Sequence, residues 1–365
     1  MCTEYTYPNL KEQLDLLLPC LGQALINKDQ ISGLRALATR LTPVLQGGFE
    51  CRLGSDKPQV DLHQCLHPTD SELALLRNRI LTIASTDNRD ARSEGMHWHD
   101  FLTEWSEPSS PLHGGIPEIW MEYDNKDSRP HPIPSVFIGL PQKVSPSAET
   151  YGKITEPSLD RLLGSDWQVC KGNLYPCFVH CPDDAFIGNI GVMLSRNSRS
   201  LRVNVKRLQP DSLISYLQRL GWRGETNELK ALMAQLFAFS DLITVCLDIG
   251  REIHSKIGFE CIVRGQHPPG YHWGAFLDYL VAKGLCEPRK RAALLDWPGH
   301  TSPVNAEAPW PGHLIADSLL KPKDHFTIFN RELSHIKVVW QPQQALEAKA
   351  YLWYQHRWLT VKSEQ

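Results

Sequence analysis

Residues 334–358 read SHIKVVWQPQQALEAKAYLWYQHRW. Two β-patterned runs, 335–340 and 346–353, flank Gln341-Pro342-Gln343-Gln344, a connection that predicts a hairpin turn because proline pre-sets a turn dihedral and cannot extend a paired strand. His335, Lys337 and Val339 share one face of the first run, with Ile336, Val338 and Trp340 on the other. In the second, Glu347, Lys349, Tyr351 and Trp353 alternate with Ala348, Ala350 and Leu352, so one face is apolar and the other carries charges and rings. Either the apolar face packs on a core beneath a wet sheet, or it packs outward on helices while the polar face lines a lumen.

The rest of the chain repeats this pattern. Segments 8–20 and 30–46 are helix-patterned, and Gly47-Gly48 is expected to stop the second. A β pair follows at 49–53 and 60–65. Further pairs fall at 118–124 with 134–140, 187–195 with 200–208, and 242–251 with 256–263, with a short extra strand expected at 178–180. Helix-patterned segments separate them, at 157–164, 210–220, 226–239, 270–284 and 288–295. Helices then a β pair, five times over, predicts an α+β fold: a ten-stranded antiparallel barrel from five β pairs surrounded by a ring of helices, as one domain over residues 1–365. Two α+β domains divided near residues 141–156 are the alternative.

Lys and Arg number 38 against 41 Asp and Glu in 365 residues, a net charge of −3 that gives no global field for nucleic acid or an anionic membrane. No apolar run is long enough for a membrane span, and MCTEYTYPNLKEQ lacks the features of a secretory leader, so a cytoplasmic location is the default expectation. Ten cysteines without a leader are expected to be free thiols. Cys170, Cys177, His180 and Cys181 match no paired zinc spacing, and His97 and His99 read as the start of a helix, so no metal ligand is assigned.

If the apolar faces pack outward, Arg52, Arg202, Lys206, Lys256, Lys337 and Lys349 converge from four of the five pairs. Unpaired cations so close repel and lose hydration, and are accommodated if an anion of two or more charges, naturally a diphosphate, sits among them. Tyr351, Trp353 and Trp120, with Tyr123 or Tyr354, supply rings that stabilise a cation and exclude water. Such a nest beside such a cage describes a site that ionises an allylic diphosphate and holds the carbocation. Glu122, between Trp120 and Asp124, is the first candidate to orient an aromatic acceptor and take its proton, and Glu50 the second. A solvated sheet face of alternating Lys and Val is the competing reading of any single strand.

With Lys349-Ala350-Tyr351 followed by Tyr354-Gln355-His356, and the five-pair organisation along nearly the whole chain, the sequence resembles the αββα-barrel (ABBA) aromatic prenyltransferases, dimethylallyltryptophan-synthase-like branch. The resemblance implies that Lys349 contacts diphosphate and that Tyr351 shields the cation. Arg202 and Lys206 resemble another such strand but bracket Asn204 where a tyrosine is expected, and Glu122 would match the glutamate that anchors an indole. The expected activity is transfer of a prenyl group from its diphosphate, as co-substrate, to an indole or other aromatic acceptor on a small molecule or peptide. No resident cofactor is expected, and Mg²⁺ is permitted but not required, since no Asp-rich DDxxD motif is present. The alternatives are a different tailoring enzyme on the same barrel and a non-catalytic binding protein.

Overall fold

A computed structural model describes residues 9–54, 58–84, 89–142, 148–196, 198, 200–264, 273–322 and 324–360. Alternation of side chains produces eleven strands: β1 Gln46–Arg52, β2 Val60–Leu66, β3 Ile119–Tyr123, β4 Ser135–Gly139, β5 Phe186–Val192, β6 Leu201–Lys206, β7 Leu242–Ile249, β8 Ile253–Ile262, β9 Gly299–Thr301, β10 His325–Trp340 and β11 Glu347–Thr360. Strands β1 to β8 pair in chain order, β8 pairs with β10, β10 with β11, and β11 returns to β1, so ten antiparallel strands close into a barrel. The short β9 pairs with β10 at Phe329–Arg331, outside the ring.

The apolar parity faces outward. Phe49, Leu62, Val203, Val245, Phe259, Ile336 and Ala350 are fully buried in one core with the helices. Those helices carry apolar residues three and four apart, as in Pro210–Arg219, where Leu213, Tyr216 and Leu217 are buried. Proline begins that helix and Pro288–Asp296, where its missing N–H costs nothing. Each such apolar side chain taken from water contributes about 1.5–3 kcal/mol, so the barrel's outer face and the helix layer each require the other.

Several expected boundaries move. Gly47 and Gly48 extend β1 instead of ending a helix, which closes earlier as Lys28–Ala38. The reason is contact: a Cβ on Gly48 would sit 2.1 Å from the Leu352 carbonyl oxygen across the β1–β11 pair. The strand expected at 178–180 is instead the end of helix Gln168–Val179, which buries Cys170 and Cys177. The fifth pair is far longer than its alternation suggests, because the register shift between Leu333 and His335 flips the parity and hides residues 325–333 from a period-two reading. Its turn is as read: Gln344 N–H donates to the Gln341 carbonyl at 3.2 Å, and Gln343 takes φ 59, the positive value that a type II turn with Pro342 at its first central position requires.

The nine described cysteines are free. Among the described residues no helix is long and apolar enough to cross a membrane.

Candidate functional site

Directly paired residues on neighbouring strands point to the same side of the sheet. Glu50 lies opposite Tyr351, Arg52 opposite Lys349 and Gly48 opposite Trp353. His335 faces Tyr351 and Lys337 faces Lys349. Farther round, His63 is opposite Glu122, Arg202 opposite Asp248, and Lys337 opposite Glu260. The polar parity therefore turns into the lumen, where two adjoining chambers form.

The first chamber, about 210 Å³, is lined by Arg52, Arg196, Arg202, Lys256, Lys337 and Lys349 with the carboxylates Glu50, Glu122, Asp248 and Glu347. The second, about 140 Å³, is lined by His63, Trp120, Phe137, Asn189, Asn204, Glu260, His335 and Trp353. Glu122, Arg202, Lys337 and Tyr351 border both. Gly258 makes room for the Lys337 chain, since a Cβ there would lie 2.7 Å from Lys337 Cε.

The expected unpaired cations are in fact paired. Lys349 Nζ donates to Glu50 Oε1 at 2.7 Å, and Lys337 Nζ to Glu260 Oε1 at 3.0 Å. Arg202 grips Asp248 through Nε at 2.8 Å and Nη2 at 3.2 Å, with Lys256 3.5 Å from the same carboxylate. Arg52 stands 3.3 Å from Glu347 at the more open rim, and Arg196 is 3.3 Å from Asp124 and 3.8 Å from Glu122. Side-chain alternation exposes which residues face inward but not which rung meets which, so the pairing of these cations with acids escaped the sequence reading.

Burial raises the cost of charge here, and the pairing outweighs it. Burial would push the Asp248 carboxyl up, but Arg202 and Lys256 hold it down at about 2. Glu260, buried likewise, is held at about 2 by Lys337 and His335. Glu50 lies well below the carboxylate range because Lys349, His63 and the Tyr351 hydroxyl overcome its burial. Tyr351 donates its hydroxyl to Glu50 Oε2, and burial with that acid beside it holds the phenol well above its ordinary range.

The second chamber is different in kind. His335 stacks on Tyr351, 4.2 Å between centroids and 13° between planes, while the His63 ring meets Tyr351 edge-on at 5.4 Å. Burial pushes His335 down to about 4, so it is neutral at physiological pH. Five buried atoms on this chamber's walls have no hydrogen-bond partner: His63 Nε2, Glu122 Oε2, Asn189 Oδ1, Asn204 Oδ1 and His335 Nε2.

Of the residues singled out in the sequence, Arg52, Arg202, Lys256, Lys337, Lys349, Tyr351, Glu50 and Glu122 border the first chamber together. Lys206 does not. It shares Arg202's parity but sits two rungs beyond Asn204, lying along Gly188, where a Cβ would come within 2.4 Å of its Cε. Tyr123 and Tyr354 point outward into the helix-packed core, whereas Trp120, Tyr351 and Trp353 line the second chamber. Arg196, which sequence reasoning missed, comes from the turn after β5, where no strand parity marks it.

Two clusters among the described residues have metal-ligand spacing. In Cys65, His67 and Glu118 the acid is already engaged, accepting from Trp120 Nε1 at 3.1 Å and from the Cys65 thiol at 3.8 Å. Glu50, His63 and Glu122 form the other.

No family model matches the chain, and no curated protein does. Solved structures do. AnaPT from Neosartorya fischeri superposes with a TM-score of 0.55 at 12% identity, over 98% of this chain and 96% of that one. Prenyltransferase PriB, solved in a ternary complex with L-tryptophan and dimethylallyl thiolodiphosphate, gives 0.53 at 12% identity over 94% of each chain. NotF, in complex with brevianamide F and a compound abbreviated DMSPP, gives 0.50 at 11% identity over 98% of each chain. Closed barrel, helical jacket and these full-length superpositions agree: the chain has the αββα-barrel fold of the ABBA prenyltransferases.

Proposed function

We propose that the protein is an aromatic prenyltransferase, acting as a single domain, that moves a prenyl group from a prenyl diphosphate to an indole or other aromatic acceptor. The observation that carries this reading is the division of one lumen into a cation-lined chamber and a ring-lined chamber that meet at Tyr351 and Glu122. Diphosphate would lie among Arg52, Arg202, Lys256, Lys337 and Lys349. As the allylic C–O bond breaks, its electron pair leaves on diphosphate, and Tyr351, Trp353 and Trp120 shield the carbocation. The acceptor ring in the second chamber forms the new bond to carbon and then loses a proton. Glu122 is the first choice to receive it, because its Oε2 has no hydrogen-bond partner at the junction, whereas both Glu50 oxygens already accept hydrogen bonds from Lys349 and Tyr351.

Incubation with dimethylallyl or geranyl diphosphate and tryptophan-bearing acceptors should add one prenyl mass to the acceptor. Donor bound but never consumed, across free and peptide-linked indoles, would overturn the reading. The pairing of the lumen cations with acids favours a second one, a barrel that takes an acceptor without any prenyl donor. Failure to bind inorganic diphosphate would favour it.

A further inference from the structure

Outside both chambers, the end of β2 and the start of β3 bring together three groups that the lumen walls do not use. Cys65 lies opposite Trp120 on the β2–β3 ladder, His67 follows the last residue of β2, and Glu118 precedes the first of β3. A thiol sulfur, an imidazole nitrogen and a carboxylate oxygen stand there within 4.8 Å of one another. None of these three residues borders either chamber. Between His67 and Glu118 the chain leaves the barrel to form the helices Glu72–Ala84, Arg89–Ser106 and Pro111–Gly115, so the cluster sits where that excursion departs and returns.

Cys65 Sγ is 3.8 Å from Glu118 Oε2. A tetrahedral zinc ion with sulfur at about 2.3 Å and oxygen at about 2.1 Å holds those two atoms about 3.5 Å apart, so they already have nearly the separation of two ligands of one ion. The histidine is set by its neighbour. Its Nδ1 lies 3.1 Å from the Pro117 carbonyl oxygen, which can only accept, so the ring proton is on Nδ1 and the lone pair on Nε2, the arrangement a carbonyl partner enforces in metal-bound histidines. The His67 backbone N–H donates to Asp70 Oδ2 at 2.7 Å, and Trp120 Nε1 donates to Glu118 Oε1 at 3.1 Å. These bonds orient the groups without using them up: each Glu118 oxygen keeps a second lone pair, and the thiol proton that touches Oε2 is the one a metal displaces. In the first chamber each carboxylate has a cation against it. Among the described residues Glu118 and Asp70 are in no ion pair with a lysine or arginine, their partners being the thiol, an indole N–H and a backbone N–H. Cys65 is buried while His67 and Glu118 are half-buried, which leaves a way in from solvent.

We propose that Cys65, His67 and Glu118 bind one zinc ion that clips the end of β2 to the start of β3. Sulfur, imidazole and carboxylate together suit Zn²⁺, whereas a thiolate ligand disfavours Mg²⁺ and Mn²⁺. As the zinc–sulfur bond forms, the Cys65 thiol releases its proton to solvent, and the fourth position is left to water. The ion ties together the two ends of the 67–118 excursion and, through Glu118, steadies the Trp120 indole on the wall of the second chamber. Binding is independent of the prenyl-transfer reading.

The test is titration of chelator-treated, reduced full-length protein with CoCl₂ alone, followed by absorption. One Co²⁺ per chain is expected, with a thiolate-to-cobalt charge-transfer band in the near ultraviolet and the intense visible bands of a tetrahedral ion, both bleached by one equivalent of ZnCl₂. Cys65→Ser should erase the charge-transfer band from whatever Co²⁺ remains bound. His67→Gln and Glu118→Gln should each weaken binding by about tenfold or more. Cys20→Ser, which removes a half-buried thiol elsewhere, should leave the spectrum unchanged. Circular dichroism confirms that each variant is folded, and the band in the unsubstituted protein needs no variant at all. Absence of stoichiometric binding, binding without the charge-transfer band, or a band that survives Cys65→Ser overturns the site.

Discussion

The two chambers of the lumen share walls and differ in how their polar atoms are satisfied. In the first, every cation contributed by the strands has an acid within 3.5 Å. In the second, five buried acceptor or imidazole atoms make no hydrogen bond within the chain. The first chamber is stable as it stands and must exchange internal ion pairs for a ligand. The second carries an unmet hydrogen-bonding demand that a ligand or water would meet. Satisfaction of polar groups separates the two, because an unpaired charge in such a site costs several kcal/mol whereas a lone unpaired amide oxygen costs about 1–3 kcal/mol.

Breaking one pair in the first chamber should have the largest effect. Lys337→Met strands the Glu260 carboxylate in a site where the side chains are only 8% and 16% exposed, and should cost about 3–5 kcal/mol in urea unfolding. Adding Glu260→Leu should restore most of it, since a hydrophobic pair of similar volume replaces a buried ion pair at little cost; a double variant as unstable as the single one would refute the account. Next is Lys349→Ala. Loss of a charge-assisted contact should lower affinity for inorganic diphosphate about 10- to 100-fold in calorimetry with the fold intact, and unchanged affinity would remove Lys349 from the anion site.

A smaller effect belongs to pH. Burial holds neutral His335 at about 4 against an ordinary 6.5, so the unfolded chain takes up its proton first as the pH falls. Stability from this group is complete above pH 6.5 and is lost progressively down to about 4. His335→Phe, which keeps a ring against Tyr351, should flatten that part of the acid-unfolding curve. The contribution of His356, also pushed down to about 4 by burial, remains, as does the loss below pH 4 when Asp248 and Glu260, held at about 2, are protonated. An unaltered slope between pH 6.5 and 4 would show that His335 is hydrated or charged in the folded protein. The smallest stability change is expected for Asn204→Leu. It removes an unsatisfied amide oxygen, so stability should shift by about 0.5 kcal/mol or less while acceptor binding weakens and diphosphate binding does not. A large loss of stability would mean that Asn204 is already satisfied.

Period-two alternation in Lys349-Ala350-Tyr351-Leu352-Trp353 and in its counterparts, with helix-patterned segments between, was enough to read a ten-stranded barrel, its inward faces and most of the residues that meet there. Parity is a local property of the backbone, so one strand reveals it unaided. Depth along the barrel axis, and the identity of the neighbour across each rung, depend on register, which is set by strand offsets, bulges and outer packing far away in sequence. Hence Arg202 and Lys206 looked equivalent although only Arg202 reaches the chambers, Asp248 and Glu260 emerged as partners only after closure, and Tyr123 and Tyr354 proved to face the helices. Which way each side chain points was written in the order of the residues; which opposite charge it meets was settled by how the sheet closes.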